Sequence, residues 1–418
     1  MTLLHLLPRL FGLTSLAILG ASGYLLWSWI DLQDEVRTSL GEDPQNWRLW
    51  TAAALLAWAL LGRFVVMALA GAGAARAHRR LERGEEIRLA GPYGADLHIE
   101  KHGPDGAPIL VMVHGWGMDS TTWTDQRARL AQRFQTLSLD LPGLGLSKGF
   151  ADGCYSLPRY ADTVAEVVRA APRRPVILMG HSIGGMILQE FAKRHPDMLG
   201  RDVAGMVLEN TTHTDPSRTT VMSGLLQAIR PLIGPLMKLD IALQPLVWAM
   251  NWHSYLNGST HLAMRIAGFG TRPAPGQLDH TALLATRNSP AVQAKGNMAM
   301  MAWDGAGDLH HIGLPVLVFI GGRDLVTRPD AGEAVARTFG AAHLAPVDRA
   351  GHMGPMELAS VYADAVAAFA DDVFLRNALP TDHPAQSDGR TSARGLTANA
   401  DTTSERNGDL PHYPTHLS

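Results

Sequence analysis

The sequence predicts an α/β protein, a mostly parallel sheet with helices on both faces, carried behind two membrane-spanning helices. Three observations carry that reading. Between residues 109 and 208, short apolar runs without charge alternate with segments of helical spacing, as expected of strands buried on both faces. One run, Val176 to Met179, leads into Gly180-His181-Ser182-Ile183-Gly184-Gly185, after which Met186, Ile187, Gln189, Glu190 and Phe191 follow a helical period. Two long apolar stretches lie ahead of residue 76.

Composition sets the outer limits. At 418 residues the chain is long for one domain, and its net charge of −3 argues against a nucleic-acid partner. The lone Cys154 forbids an internal disulfide and a cysteine-rich zinc site; no metal or cofactor is called for. Three segments are expected: a membrane anchor over 1–86, an α/β domain over 87–375 and a disordered polar tail over 376–418.

Leu10 to Ile30 carries no charge and is long enough, as a helix, to cross a hydrocarbon core about 30 Å thick. Tyr24, Trp27 and Trp29 crowd its far end as an interfacial aromatic belt would. A signal peptide also has a basic residue, here Arg9, before an apolar run. This run outlasts an ordinary signal core, and a second apolar stretch follows it. That second stretch, Leu49 to Ala75, is broken only by Arg63 and puts a span at about 49–72. An arginine at mid-membrane costs roughly 2.5 to 3.5 kcal/mol on insertion scales, so Arg63 is expected to snorkel or to pair with a polar group of the first span. Arg37 and Arg48 lie between the spans, against Arg9, Arg76, Arg79, Arg80, Arg83 and Arg88 outside them. The positive-inside rule then puts the α/β domain on the cytoplasmic side, the arrangement of a bacterial inner-membrane protein.

From Ile87 a hairpin is expected around Pro92-Tyr93-Gly94. Strands follow at 109–113, 135–139, 176–179 and 203–208, with helices at about 120–133, 157–171 and 183–195. The segment from about 211 to 305 breaks the alternation. It is rich in Leu, Met, Trp and Pro, has no Glu, and reads as several helices. Its seven basic residues outnumber Asp215, Asp240, Asp279 and Asp304, which suits a neutral or anionic acyl substrate. Leu225, Leu226, Ile229, Leu232, Ile233 and Leu236 read as the core of this segment.

The strand-to-helix turn gives Ser182 its meaning. Gly180 and Gly184 flank it where a Cβ would crowd a sharp turn, and the Ile183 amide is left to donate to an oxyanion. Downstream, the apolar run Val316 to Ile320 ends in Gly-Gly-Arg-Asp324, and His343 to Val347 leads to Ala350-Gly351-His352.

The order Ser182, Asp324, His352 resembles that of the α/β-hydrolase superfamily. Ile109 to Val113 with His114-Gly115-Trp116-Gly117 resembles its oxyanion strand and loop, and Asp140-Leu141-Pro142-Gly143-Leu144-Gly145-Leu146-Ser147 its post-strand turn. Leu144 departs from the polar or aromatic residue common there, while the turn glycines are kept. The resemblance covers about 87 to 371. It implies the α/β-hydrolase fold, a mostly parallel eight-stranded sheet with a helical cap at 211–305.

The chemistry implied is that of a serine hydrolase of the esterase or lipase type. Ser182 is the nucleophile, His352 the base and Asp324 its orienting acid, with the Trp116 and Ile183 amides as oxyanion hole. His114, Gly115 and His181 border the substrate, the histidines structural rather than reactive. Glu209 is a rival acid, since some relatives place theirs at the end of that strand; Asp140 and Asp348 read as structural. Trp116, Trp123 and Trp303 either line an acyl pocket or pack. The partners implied are a small-molecule or lipid ester and the membrane. Thioesterase, lactonase, carbon–carbon hydrolase and cofactor-free perhydrolase share the triad, and a non-catalytic tethered binding protein shares the fold.

Overall fold

The computed structural model describes residues 2–38, 46–71, 83–305, 307 and 309–378. The chain opens with two helices, α1 (Thr2–Thr38) and α2 (Asn46–Ala70). Both are long and apolar enough to cross a membrane, over Thr14–Gln33 and Asn46–Ala70. They run antiparallel, joined by bonds from Ser22 Oγ to the Ala52 carbonyl (2.9 Å) and from Arg48 to Ser28 Oγ (2.6 Å). The first helix extends on both sides of the span expected at about 10–30. The Arg63 guanidinium lies over the rings of Phe64 at 4.7 Å and of Tyr255, in the segment read as the cap, at 4.9 Å.

Eight strands form one sheet in the order β1-β2-β4-β3-β5-β6-β7-β8. The opening hairpin is β1 (Glu85–Ala90) and β2 (Asp96–His102), turned at Pro92–Gly94, and β2 pairs antiparallel with β4. All other pairings are parallel, through β3 (Ile109–Val113), α3 (Thr124–Leu130), β4 (Gln135–Leu139), α4 (Leu157–Ala170), β5 (Val176–His181), α5 (Ile183–Arg194) and β6 (Val203–Glu209). A short 3-10 turn at Ser120–Trp123 takes the place of the first turn expected of the helix at 120–133.

Seven helices then intervene: α6 (Pro216–Thr219), α7 (Ser223–Ala228), α8 (Arg230–Ala242), α9 (Gln244–Leu256), α10 (Ser259–Gly268), α11 (Pro275–Arg287) and α12 (Pro290–Ala302). The sheet resumes with β7 (Val316–Gly321), α13 (Pro329–Thr338) and β8 (Ala342–Val347), and α14 (Gly354–Glu357) and α15 (Ala359–Ala378) finish the described chain. Because α15 runs to Ala378, the tail cannot begin at 376; the rest of that expected disordered segment lies outside the described residues, as do Arg76, Arg79 and Arg80.

Period-two alternation explains why the strands are apolar throughout. Val111, Val113 and Leu178 face a core that includes Val164 and Phe191 of α4 and α5, while Leu110, Met112 and Ile177 face one that includes Leu130 of α3 and Phe369 of α15. The sheet is thus a rigid platform, and its β3, β5, β6 and β7 ends carry the loops of interest.

Candidate active site

Ser182 sits between β5 and α5 with φ 55° and ψ −116°, a positive φ that a non-glycine residue adopts only under constraint. The constraint is packing. A Cβ at Gly180 would lie 2.5 Å from the Gly184 carbonyl carbon, and one at Gly184 would collide with the Val113 carbonyl oxygen. The turn is pinned further by the Ser182 amide donating to the Glu209 carbonyl (2.9 Å) and by Thr211 Oγ1 donating to the Ser182 carbonyl (2.6 Å).

The structure brings the three expected side chains together. Ser182 Oγ donates to His352 Nε2 at 3.0 Å, and His352 Nδ1 donates to Asp324 Oδ2 at 2.9 Å. All three are buried. Burial raises the carboxyl pKa of Asp324, but the charge of His352 and the bonds from His352 and Thr327 outweigh it and leave the group below the usual carboxylate range. Its Oδ1 accepts the Val326 and Thr327 amides, both at 2.8 Å, and its Oδ2 accepts Thr327 Oγ1 at 2.7 Å. The carboxylate is therefore fixed in orientation as well as in charge.

Glu209, the rival acid, has Gln126 as its partner (2.8 Å) instead of the histidine, and burial pushes its carboxyl up to about 8. Asp140 is structural as expected, accepting the Ser120 and Leu146 amides at 2.6 and 2.8 Å. His114 accepts the Leu141 amide at Nε2 (3.0 Å) and donates from Nδ1 to the Gly115 carbonyl (2.8 Å), which ties the loop after β3 to the turn after β4. His181 donates to the His352 carbonyl (2.8 Å); desolvation and the neighbouring His352 lower its pKa to about 3, so it stays neutral. Gly115 packs on that ring, where a Cβ would come within 2.7 Å of Nδ1. Of the three residues expected to border substrate, both histidines thus have partners within the fold.

Among the described residues neither the Trp116 nor the Ile183 backbone amide donates to a protein acceptor. The Trp116 indole reaches over to α12, donating to the Gln293 carbonyl (3.3 Å) and covering Gly296. Trp123 is fully buried in the core behind the sheet, so of the two readings open to it, packing is the one found. Trp303 donates to Glu190 at 3.0 Å.

Besides Thr327, two supports escaped sequence reasoning. Asn210, itself at φ 47°, donates to Asp324 Oδ2 (3.2 Å) and the Gly351 carbonyl (2.9 Å), and accepts from Tyr362 (2.7 Å). Glu357 accepts the Gly351 amide (2.5 Å) together with the Gly270 and Thr271 amides (3.2 and 3.1 Å), and so links the His352 loop to the end of α10. Such an arrangement can lower the barrier to proton removal from Ser182 and stabilise a positive imidazole beside it.

A family model described as "Alpha/beta hydrolase family" matches residues 110–371. A serine hydrolase-like protein of Danio rerio is 34% identical over 139 residues, 33% of this chain and 41% of that protein. The chain thus spans less than half the length of that relative. A pimeloyl-[acyl-carrier protein] methyl ester esterase of Nitrosospira multiformis is 27% identical over 269 residues, 62% of this chain and 91% of that one. The structure of a thermophilic esterase from Thermogutta terrifontis superposes with a TM-score of 0.55 at 22% identity, covering 69% of this chain and 99% of that one, a likeness of fold.

Proposed function

The chain belongs to the α/β-hydrolase family, and on that footing we propose that it is a membrane-anchored serine hydrolase that cleaves carboxylic esters. The observation that carries this reading is the relay from Ser182 Oγ through His352 to Asp324, at 3.0 and 2.9 Å, with the serine on a constrained positive-φ turn. An ester substrate is favoured by the Nitrosospira multiformis relative, which is named as a methyl ester esterase and is matched over 91% of its length.

The reaction runs in two halves. Ser182 Oγ attacks the ester carbonyl while His352 Nε2 takes its proton; Asp324 holds Nδ1–H and balances the imidazolium charge. The Trp116 and Ile183 amides meet the tetrahedral oxyanion, each such donor being worth on the order of 3 kcal/mol. Collapse expels the alcohol, which receives the proton from Nε2. Water then attacks the acyl-serine with the same base, releasing the carboxylic acid and restoring Ser182. His114 acts by holding the Gly115–Trp116 loop.

Two spans place both outer flanks on one side, and their excess of arginine assigns the hydrolase body to the cytoplasmic face. The test of the catalytic reading is labelling of the full chain with a fluorophosphonate probe, followed by turnover of nitrophenyl esters of graded chain length. Labelling of the wild type but not of Ser182→Ala, with ester turnover, is the expected result. A folded wild type that neither labels nor hydrolyses any ester in the series would overturn it.

A further inference from the structure

The cap wears apolar residues on its outside. Of the six residues that read as its core, Leu226 and Ile233 are buried, but Leu225, Leu232 and Leu236 are 52%, 62% and 45% exposed. The exposed face continues along α8 and α9 through Leu239, Leu246 and Trp248. From Ile241 through Met264 the chain has no Asp, Glu, Lys or Arg. Taken together, α8 and α9 are as apolar as a membrane span, yet a bend of 97° sets them at about a right angle to one another. A surface of this kind on a folded chain marks contact with lipid or with protein.

What covers it follows from its seat on α1 and α2. Directly after α9, Asn257 Nδ2 donates to Ser15 Oγ of α1, and a Cβ on Gly62 of α2 would lie 2.5 Å from the Asn257 carbonyl oxygen. Gly258, at φ 86°, is equally close to Val66, where its own Cβ would come within 2.6 Å. The aromatic ends of the two helices, Trp29 and Trp47, mark one membrane edge. At 1.5 Å per residue, Ser15 lies about 21 Å from Trp29, and Gly62 about 22 Å from Trp47. In a hydrocarbon core about 30 Å thick, the Asn257–Gly258 turn is then roughly 8 Å inside the opposite edge, and tilting the helices only deepens it. Several polar groups at that depth have protein partners: Asn257 Oδ1 accepts the Ser259 amide (2.9 Å), and Tyr255 and His261 both donate to Asp279 Oδ1 (2.8 and 2.9 Å) beneath Arg63, whereas among the described residues the His253 ring nitrogens and Ser254 Oγ of α9 are buried without a hydrogen-bond partner. Lys238, exposed on α8, has a stem long enough to snorkel.

We propose that α8, α9 and the outer face of α10 lie among the acyl chains of the leaflet nearest the hydrolase body, as a re-entrant wedge beside the two spans. The cap over Ser182 is then an intramembrane element, and the substrate class it admits is an amphiphilic ester that enters sideways from the bilayer. This rests on the reading of α1 and α2 as spans.

The test uses the full chain with Cys154→Ser, so that single cysteines at Leu236, Leu239 or Leu246 can each be tagged with bimane. Leu60 of α2 and Leu344 of the body, 48% and 44% exposed, serve as references. The proteins are reconstituted in phosphatidylcholine vesicles, with fluorophosphonate labelling as the check of folding. Brominated acyl chains should quench the three cap positions at least half as strongly as Leu60, and aqueous iodide should quench them no more than Leu60. Iodide quenching at the level of Leu344 without bromolipid quenching would overturn the proposal. Protection from both quenchers would assign the face to a second copy of the chain, and would overturn it as well. Failure of bromolipid to reach Leu60 would remove the span reading and this proposal together, while leaving the labelling of Ser182 untouched.

Discussion

Over residues 83–210 and 309–378 the hydrolase body leaves four large apolar side chains in the open, Tyr93, Leu146, Leu344 and Leu375, whereas the cap segment, about half as long, leaves twelve. In the body, both faces of the sheet consume the apolar residues, and buried charge is paired, as in Arg127 with Glu100 at 3.0 Å. In the cap, the inner face builds a smaller core in which Met264, Phe269 and Leu278 pack on Met118 and Met353, the latter beside His352. Its outer face has no such partner in the body. The difference teaches that the two regions answer to separate demands: the body to close packing around a fixed geometry, the cap to a surrounding other than water.

The largest effect is expected in the body at Asp324→Asn, which keeps the shape but removes the charge beneath His352. Ester kcat should fall on the order of 10⁴-fold, with thermal melting little changed. Gly184→Ala comes next, because its methyl meets the Val113 carbonyl, a backbone atom that cannot step aside. A loss on the order of 4 kcal/mol is expected in denaturant unfolding, and a neutral result would mean that the serine turn is looser than its packing implies.

Glu209→Gln should act in the opposite direction. The folded chain holds this carboxyl at about 8 against an ordinary value of 4.5, and so retains a proton that the unfolded chain has released. Its contribution is best below pH 4.5 and declines as pH rises toward 8. The amide, which still accepts from Gln126, should stabilise by on the order of 3 kcal/mol at pH 7 and be neutral near pH 4.5, read as paired melts at the two pH values. The smallest effect belongs to the cap: a Cβ on Gly234, inside α8, meets nothing within 4 Å. Gly234→Ala should therefore stabilise by about 0.5–1 kcal/mol through helix propensity alone. One methyl group thus distinguishes a region packed to its limit from one with open space at its surface.

The core of the site was legible because its signals are local. Ser182 announces itself by a strand that turns into a helix within a few residues, and Asp324 and His352 each follow a short apolar run. Their meeting, by contrast, came from a resemblance in chain order that the geometry then matched. Asn210, Thr327 and Glu357 gave no signal, since a lone polar residue in a loop acquires its role only from backbone amides and carboxylates brought to it by tertiary closure. The contact of Arg63 with Tyr255 is likewise invisible in the sequence, because the two are far apart along the chain and in different segments. The outward leucines of α8 look like core in the sequence because helical periodicity identifies an apolar face without saying which way it turns.

Glu357 holds the Gly351 amide with one oxygen, and the Gly270 and Thr271 amides with the pair of them. The Met353 amide, one residue past His352, donates to the Gly268 carbonyl at 2.7 Å. Residues 268–271 and the histidine loop are consequently a single mechanical piece. Any displacement of that stretch must either break its bonds to Glu357 and Met353 or carry the His352 loop away from Ser182, so opening the cap there and keeping the Ser182–His352 contact are mechanically coupled.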